Sequence, residues 1–113
     1  NNVSYYDSLG NKAYISLMKI SYLVIGNSSS GILETPSFGI RTINIGNRQN
    51  GRIIPRNVIN CDYNFSSINK AFIKIKKLSI SKSNLFYKKN TPIKIAKKIL
   101  NFKFNLKKVF YDL

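Results

Sequence analysis

Three short apolar runs, each closed by glycine or a polar stop and separated by stretches of helical spacing or polar loop, limit this chain to few architectures. The runs are Tyr22-Leu23-Val24-Ile25 before Gly26-Asn27, Thr42-Ile43-Asn44-Ile45 before Gly46, and Asn57-Val58-Ile59-Asn60. A continuous apolar run of about four residues is the signature of a strand buried on both faces. Between Asn11 and Ile20, the residues Ala13, Tyr14, Leu17 and Met18 repeat at helical spacing. A second helix is expected from Ser29 or Ser30 to Phe38, with Gly39 as its stop. Pro36 lacks an N–H and clashes with the preceding turn, so that helix should be short or kinked. Ile68, Ala71, Phe72, Ile75 and Leu78 predict another helix, with Lys70, Lys74 and Lys77 on its far side. A last helix should open with Thr91 as N-cap and Pro92 at its first position, and run through Ile95, Ala96, Ile99 and Leu100.

Val3–Tyr6 reads as a further short strand. Asn47 to Arg56 and Ser79 to Asn90 read as loops, and the end of the chain carries no assigned element. Strands alternating with helices predict an α/β fold: a Rossmann-like parallel sheet with helices on both faces. Such sheets bind ligands beyond the carboxyl ends of their strands. The Gly26–Ser30 and Gly46–Arg52 loops lie at two such ends.

Composition narrows the chemistry. The 113 residues contain no histidine, one cysteine (Cys61) and four carboxylates (Asp7, Glu34, Asp62, Asp112). A histidine general base, a histidine-ligated metal, an internal disulfide and a cysteine cluster are all excluded. No metal site is expected, because no cluster of acids, cysteines or histidines exists. No apolar run reaches membrane-span length, and the first residues lack the pattern of a secretory signal.

The net charge is +15, and residues 70–113 hold thirteen lysines against Asp112. A basic tail ordinarily points to nucleic acid or anionic lipid. Here the tail has no arginine, the better reader of phosphates and bases. Its helical lysines fall where a helix faces water. Ile, Lys and Asn together make 47 of the 113 residues, a bias that an AT-rich genome imposes on neutral positions. A nucleic-acid partner is therefore not expected.

Physics alone makes Ile25-Gly26-Asn27-Ser28-Ser29-Ser30-Gly31 a candidate anion site. Small side chains let an anion approach the backbone, and the first N–H groups of a helix lack internal partners. Ser28 and Ser29 add hydroxyl donors, which suits a phosphate or diphosphate. The stretch is neither a Walker loop nor a GxGxxG turn. An ordinary capped helix after a turn would look the same. Glu34 lies about one turn further on, where a carboxylate can accept from both hydroxyls of a ribose. As a first-turn glutamate it would also suit the helix dipole. Arg48, and less directly Arg52, can reach the same anion from the neighbouring loop, or stand as exposed loop cations.

The stretch from Leu23 to Glu34 continues through Pro36-Ser37-Phe38-Gly39, Thr42-Ile43-Asn44-Ile45-Gly46, Arg48-Gln49 and Gly51-Arg52. This ordered run resembles the hydrolysing UDP-N-acetylglucosamine 2-epimerases of the sialic-acid pathway. Ser8-Leu9-Gly10 with Tyr14, Leu17 and Met18 is similar to the helix before the family's site. Asn57-Val58-Ile59 with Cys61-Asp62 is similar to the strand after it, and Asn84-Leu85-Phe86-Tyr87 with Thr91 to Leu100 to the family's last loop and helix.

The resemblance implies a two-lobed glycosyltransferase-B-like fold. Residues 1–113 would be its UDP-binding C-terminal lobe, a fragment without the N-terminal lobe, with 102–113 as a basic tail; the start at Asn1-Asn2 fits a fragment. It implies that Ser28 and Ser29 contact the diphosphate, that Glu34 holds the ribose, that Arg48 lies on the UDP site, and that the backbone near Leu9 lies beside the uracil. Asn27, Ser30, Gly31 and Arg52 are additional candidates.

The implied reaction is anti elimination of UDP across C1 and C2 of the sugar, then hydration, giving N-acetylmannosamine. No catalytic residue of that reaction, and no cofactor or metal, is expected in this stretch, so the chain alone should not turn over. Its expected partners are the UDP-sugar, the N-terminal lobe and, at full length, further copies in a homo-oligomer. No membrane partner is expected, and the location would be cytoplasmic. A relative acting on a UDP-diacetamido sugar, the donor-binding lobe of a glycosyltransferase and a lysine-rich nucleic-acid-binding module are the alternatives. Two positions depart from the family. Arg41 stands where proline is usual, which should relax the entry into the strand and place a cation near the site. Asn47 stands where an acid or small polar residue is common.

Overall fold

A computed structural model of the chain describes residues 2–103. The basic tail expected over 102–113 falls mostly on 104–113, outside the described residues. The elements run α1 (Gly10–Ile20), β1 (Leu23–Gly26), α2 (Ser30–Leu33), α3 (Thr35–Phe38), β2 (Arg41–Ile45), β3 (Val58–Cys61), α4 (Phe65–Lys76) and α5 (Thr91–Leu100). The three strands form one parallel sheet in the order β1-β2-β3. Among the described residues no helix is long and apolar enough to cross a membrane.

The register explains how the sheet is clothed. Ile25, Ile43 and Ile59 stand in one row, and Val24, Thr42 and Val58 in the next. Successive side chains point to opposite faces. The first row faces α4, where Ile43 and Cys61 form a core with Ala71 and Ile75. The second row faces α2. There Gly31 lies so close that an added Cβ would sit 2.8 Å from Thr42 Cγ2. Helices thus cover both faces, as the alternation of elements predicts.

The α2 side is tied by hydroxyls rather than by methyl groups. Thr35 Oγ1 donates to the Gly31 carbonyl at 2.7 Å. Its single proton is thereby engaged, so Thr42, 2.9 Å away, must donate to it. Asn57 Nδ2 also donates to Thr35 Oγ1, at 3.1 Å, and to the Ile40 carbonyl. Thr35, Thr42 and Asn57 are all buried, and the network satisfies groups whose burial would otherwise be costly.

The kinked helix is two separate turns. α2 ends and α3 begins at Glu34, with Pro36 in the first turn of α3. Gly39 closes α3 in the left-handed region at φ 68°, the conformation that glycine adopts without a Cβ penalty. α4 is capped by Asn64, whose Oδ1 accepts from Ser67 N–H at 2.8 Å.

Four expectations are corrected. Val3–Tyr6 forms no strand, and Val3, Tyr5 and Tyr6 are exposed; apolar residues make a strand only where a neighbouring strand accepts their hydrogen bonds. β1 is not buried on both faces: Ile25 is 50% exposed, because α4 covers β2 and β3. Thr91 is not the N-cap of α5. Asn90 is, with a left-handed φ of 62° and no side-chain cap, while Thr91 Oγ1 donates to the Lys88 carbonyl at 2.5 Å.

The fourth correction concerns Arg41, which does not place its charge at the site. It opens β2, opposite Leu23, at the amino edge. Its Nε donates to the Ile75 carbonyl at 3.1 Å and its Nη2 to the Leu78 carbonyl at 3.2 Å. A cation there bonds one carbonyl in the last turn of α4 and one just beyond it, and suits the negative end of the helix. The guanidinium also lies 5.2 Å from the Tyr22 ring centroid.

Candidate functional site

All three strands run the same way, so the loops after Gly26 and Ile45 emerge at one edge. The structure joins them. Gln49, in the turn after β2, is 4% exposed and donates from Nε2 to the Asn27 carbonyl at 2.7 Å. Turn bonds from Asn50 N–H to the Asn47 carbonyl and from Arg52 N–H to the Gln49 carbonyl shape the β2 loop around it. Gly46 starts that loop at φ 80°, and a Cβ there would collide with the Tyr63 ring. Both the backbone angle and the aromatic neighbour demand glycine.

In the β1 loop the donors divide into two sets. Ser30 N–H reaches Ser28 Oγ at 3.3 Å, and Gly31 N–H reaches the Ser28 carbonyl at 3.2 Å. Among the described residues the N–H groups of Ser28 and Ser29 donate to nothing. Ser29 is the residue before α2 and makes no side-chain cap bond, so its hydroxyl is not tied to the helix. Ser28 is exposed and Ser29 half-buried. The free donors therefore precede the helix, and they come from one loop. α2 is a single turn of four residues, so its dipole adds little and local N–H donation is the operative force.

Glu34 follows one turn later. It stands at the junction of α2 and α3. Its N–H donates to the Ser30 carbonyl at 3.0 Å. Its Oε2 is buried and accepts from nothing. A carboxylate oxygen withheld from water without a donor is costly, and a hydroxyl-bearing ligand would satisfy it.

The remaining sequence-predicted residues occupy distinct positions. Asn27 and Arg48 are exposed on the two adjoining loops, and Arg52 is exposed beyond the turn. Gly31 is buried, its N–H is engaged by Ser28, and Thr42 accounts for its missing Cβ; its part here is close packing. Leu9, half-buried, precedes α1. Lys19, near the far end of α1, lies 5.5 Å from the Phe38 ring centroid on α3. Leu9 is therefore at the end of α1 remote from α3, about 15 Å along the helix from that contact. Sequence reasoning names Gln49 only within the run that resembles the family and gives it no role, because it looks like one polar residue in a polar loop.

Asn27, Ser28, Asn47 and Arg48 are exposed along this edge, which forms a shelf. A cavity of about 610 Å³ lies elsewhere, bounded by Arg56, Asn57, Ser79, Ser81 and Ser83. Asn57 precedes β3 at the amino side of the sheet, so this cavity is remote from the serine loop. Cys61, at the end of β3, is buried in the α4 core. Burial pushes its thiol up from the ordinary value, and the neighbouring Asp62 carboxylate adds to the effect. A thiol held protonated is a poor nucleophile.

The family described as UDP-N-acetylglucosamine 2-epimerase matches residues 1–100. A GDP/UDP-N,N'-diacetylbacillosamine 2-epimerase (hydrolyzing) of Campylobacter jejuni is 49% identical over 70 residues, 62% of this chain and 18% of the relative. The polysialic acid biosynthesis protein P7 of Escherichia coli is 36% identical over 121 aligned positions, 96% of this chain and 30% of the relative. A UDP-N-acetylglucosamine 2-epimerase of Neisseria meningitidis serogroup B is 36% identical over 55 residues, 49% of this chain and 15% of the relative. The chain spans less than a third of the length of these curated relatives.

Proposed function

This chain belongs to the UDP-N-acetylglucosamine 2-epimerase family, and from that premise we propose that it is the UDP-binding portion of a hydrolysing UDP-sugar 2-epimerase. In this reading the free N–H groups of Ser28 and Ser29, with their hydroxyls, receive the diphosphate. Arg48 adds a cation to it. Glu34 accepts from the ribose hydroxyls, and the backbone near Leu9 borders the uracil. The observation that carries the proposal is the buried, unpartnered Oε2 of Glu34 one turn beyond two unengaged amides. Acceptor and donors stand in the order in which a nucleoside diphosphate presents hydroxyls and phosphates.

The reaction would eliminate UDP across C1 and C2 of a 2-acetamido sugar and then add water. Donors fixed before the reaction, and aimed at the departing diphosphate, stabilise the charge that develops there. A base for the C2 proton would come from the N-terminal lobe, which also closes the shelf, in a cytoplasmic homo-oligomer. Two substrates compete: UDP-N-acetylglucosamine, leading to a sialic-acid-type product, and a UDP-diacetamido sugar. The second reading is favoured by one observation, the higher identity to the diacetylbacillosamine enzyme of Campylobacter jejuni.

Isothermal titration with UDP tests the site. The unmodified chain should give saturable heat, and Ser28→Ala and Glu34→Ala should each weaken binding. Identical titrations from all three proteins would remove the assignment.

A further inference from the structure

We propose that Gln49 is the positioning residue that aims the Ser28 amide at the diphosphate. This inference rests on the UDP-binding reading of the same edge. The Asn27 carbonyl that Gln49 Nε2 holds at 2.7 Å and the Ser28 N–H belong to one peptide group. That group is planar, and its C=O and N–H point in opposite directions. Fixing the carbonyl inward on Gln49 therefore fixes the N–H outward. Ser28 N–H is one of the amides left without a partner among the described residues, and Ser28 is exposed.

A hydrogen bond to the carbonyl also polarises the peptide and strengthens the N–H as a donor. The loop cannot supply this constraint itself, because its other bonds, Ser30 N–H to Ser28 Oγ and Gly31 N–H to the Ser28 carbonyl, act on later peptides.

Packing does not account for Gln49. The residue is 4% exposed, yet its Oε1 accepts from nothing, and an unmatched buried acceptor is unfavourable. A methionine would fill the same space without that penalty. What glutamine adds is the donor, and the donor goes to Asn27. The glutamine also couples the two loops. It reaches from the turn that carries Arg48 to the peptide that carries the Ser28 amide, so both diphosphate contacts share one rigid reference.

The test compares UDP with uridine on Gln49→Met, using 15N-detected titrations of the full 113-residue chain. The expected result is a UDP dissociation constant raised at least tenfold with uridine affinity unchanged, and a displaced Ser28 amide resonance before ligand is added. Should Gln49→Met fail to fold, Gln49→Leu is measured in its place. Equal loss of UDP and uridine, or UDP affinity within twofold of the unmodified chain, overturns the positioning role alone. No UDP response from the unmodified chain overturns the reading of the site and this inference with it.

Discussion

In α4 the apolar residues fall on one face, and Ala71 and Ile75 are buried against Ile43 and Cys61. α5 has the same make-up, with apolar residues on one side and lysines on the other, yet none of its ten residues is buried. Ile93, Ile95, Ile99 and Leu100 are all more than half exposed. The difference teaches that helical spacing names the face that seeks burial and says nothing of what covers it. α4 follows β3 directly and lies back on the sheet, where the odd-numbered residues of β2 and β3 receive it. α5 is separated from α4 by fourteen residues, and among the described residues it packs on no strand as α4 does.

The largest expected effect follows from that contrast. Ile75→Ala should cost about 2–5 kcal/mol in urea unfolding, through lost transfer energy and the cavity left behind. Ile99→Ala should stay within about 0.5 kcal/mol. Comparable losses at both positions would mean that α5 finds a packed surface in solution. Amide exchange sharpens the same point: α4 amides should be protected and α5 amides close to unprotected.

Next in size is Arg41→Met. It leaves the Leu78 carbonyl beyond the end of α4 without its donor, and the expected cost is about 1–2 kcal/mol, the low end for charged donors because the site is half-exposed. Fraying should be confined to the last turn of α4 in amide exchange, with UDP binding unchanged. Loss of UDP affinity would put Arg41 back at the site.

The smallest effect concerns Cys61. Its folded thiol holds its proton at a pH where the unfolded chain has released it. The native state then binds more protons, so stability falls as pH rises above about 9. Cys61→Ala should flatten that slope in alkaline urea titrations, and the thiol should react with an alkylating probe only as the chain unfolds.

Much of the frame was legible because glycine and apolar spacing are local signals. Gly26 and Gly46 end strands where the runs stop, Gly39 ends a helix, and Pro36 divides it. Residues whose partners are remote in sequence were not legible. Arg41 looks like a stray cation in a proline position, and only α4, thirty-four residues on, gives it a purpose. Thr35, Thr42 and Asn57 look like ordinary polar residues until the sheet brings them together. At the proposed site, the serine loop and Glu34 are named from their order along the chain. Gln49 could not be given a role in this way, because its burial depends on how two loops meet. The dipole expected of a longer helix is reduced to one turn, since the helix breaks at Glu34, just before Pro36.

The central claim is that Glu34 meets ribose hydroxyls beside amides that meet phosphate. Calorimetric titration of the unmodified chain and of Glu34→Gln with UDP and with 2′,3′-dideoxy-UDP tests it most directly. Hydrogen bonds to a charged group are worth about 1.5–3 kcal/mol, so Glu34→Gln should weaken UDP at least about tenfold and leave the dideoxy analogue unaffected. An equal loss for both nucleotides, or no loss for either, would contradict the account.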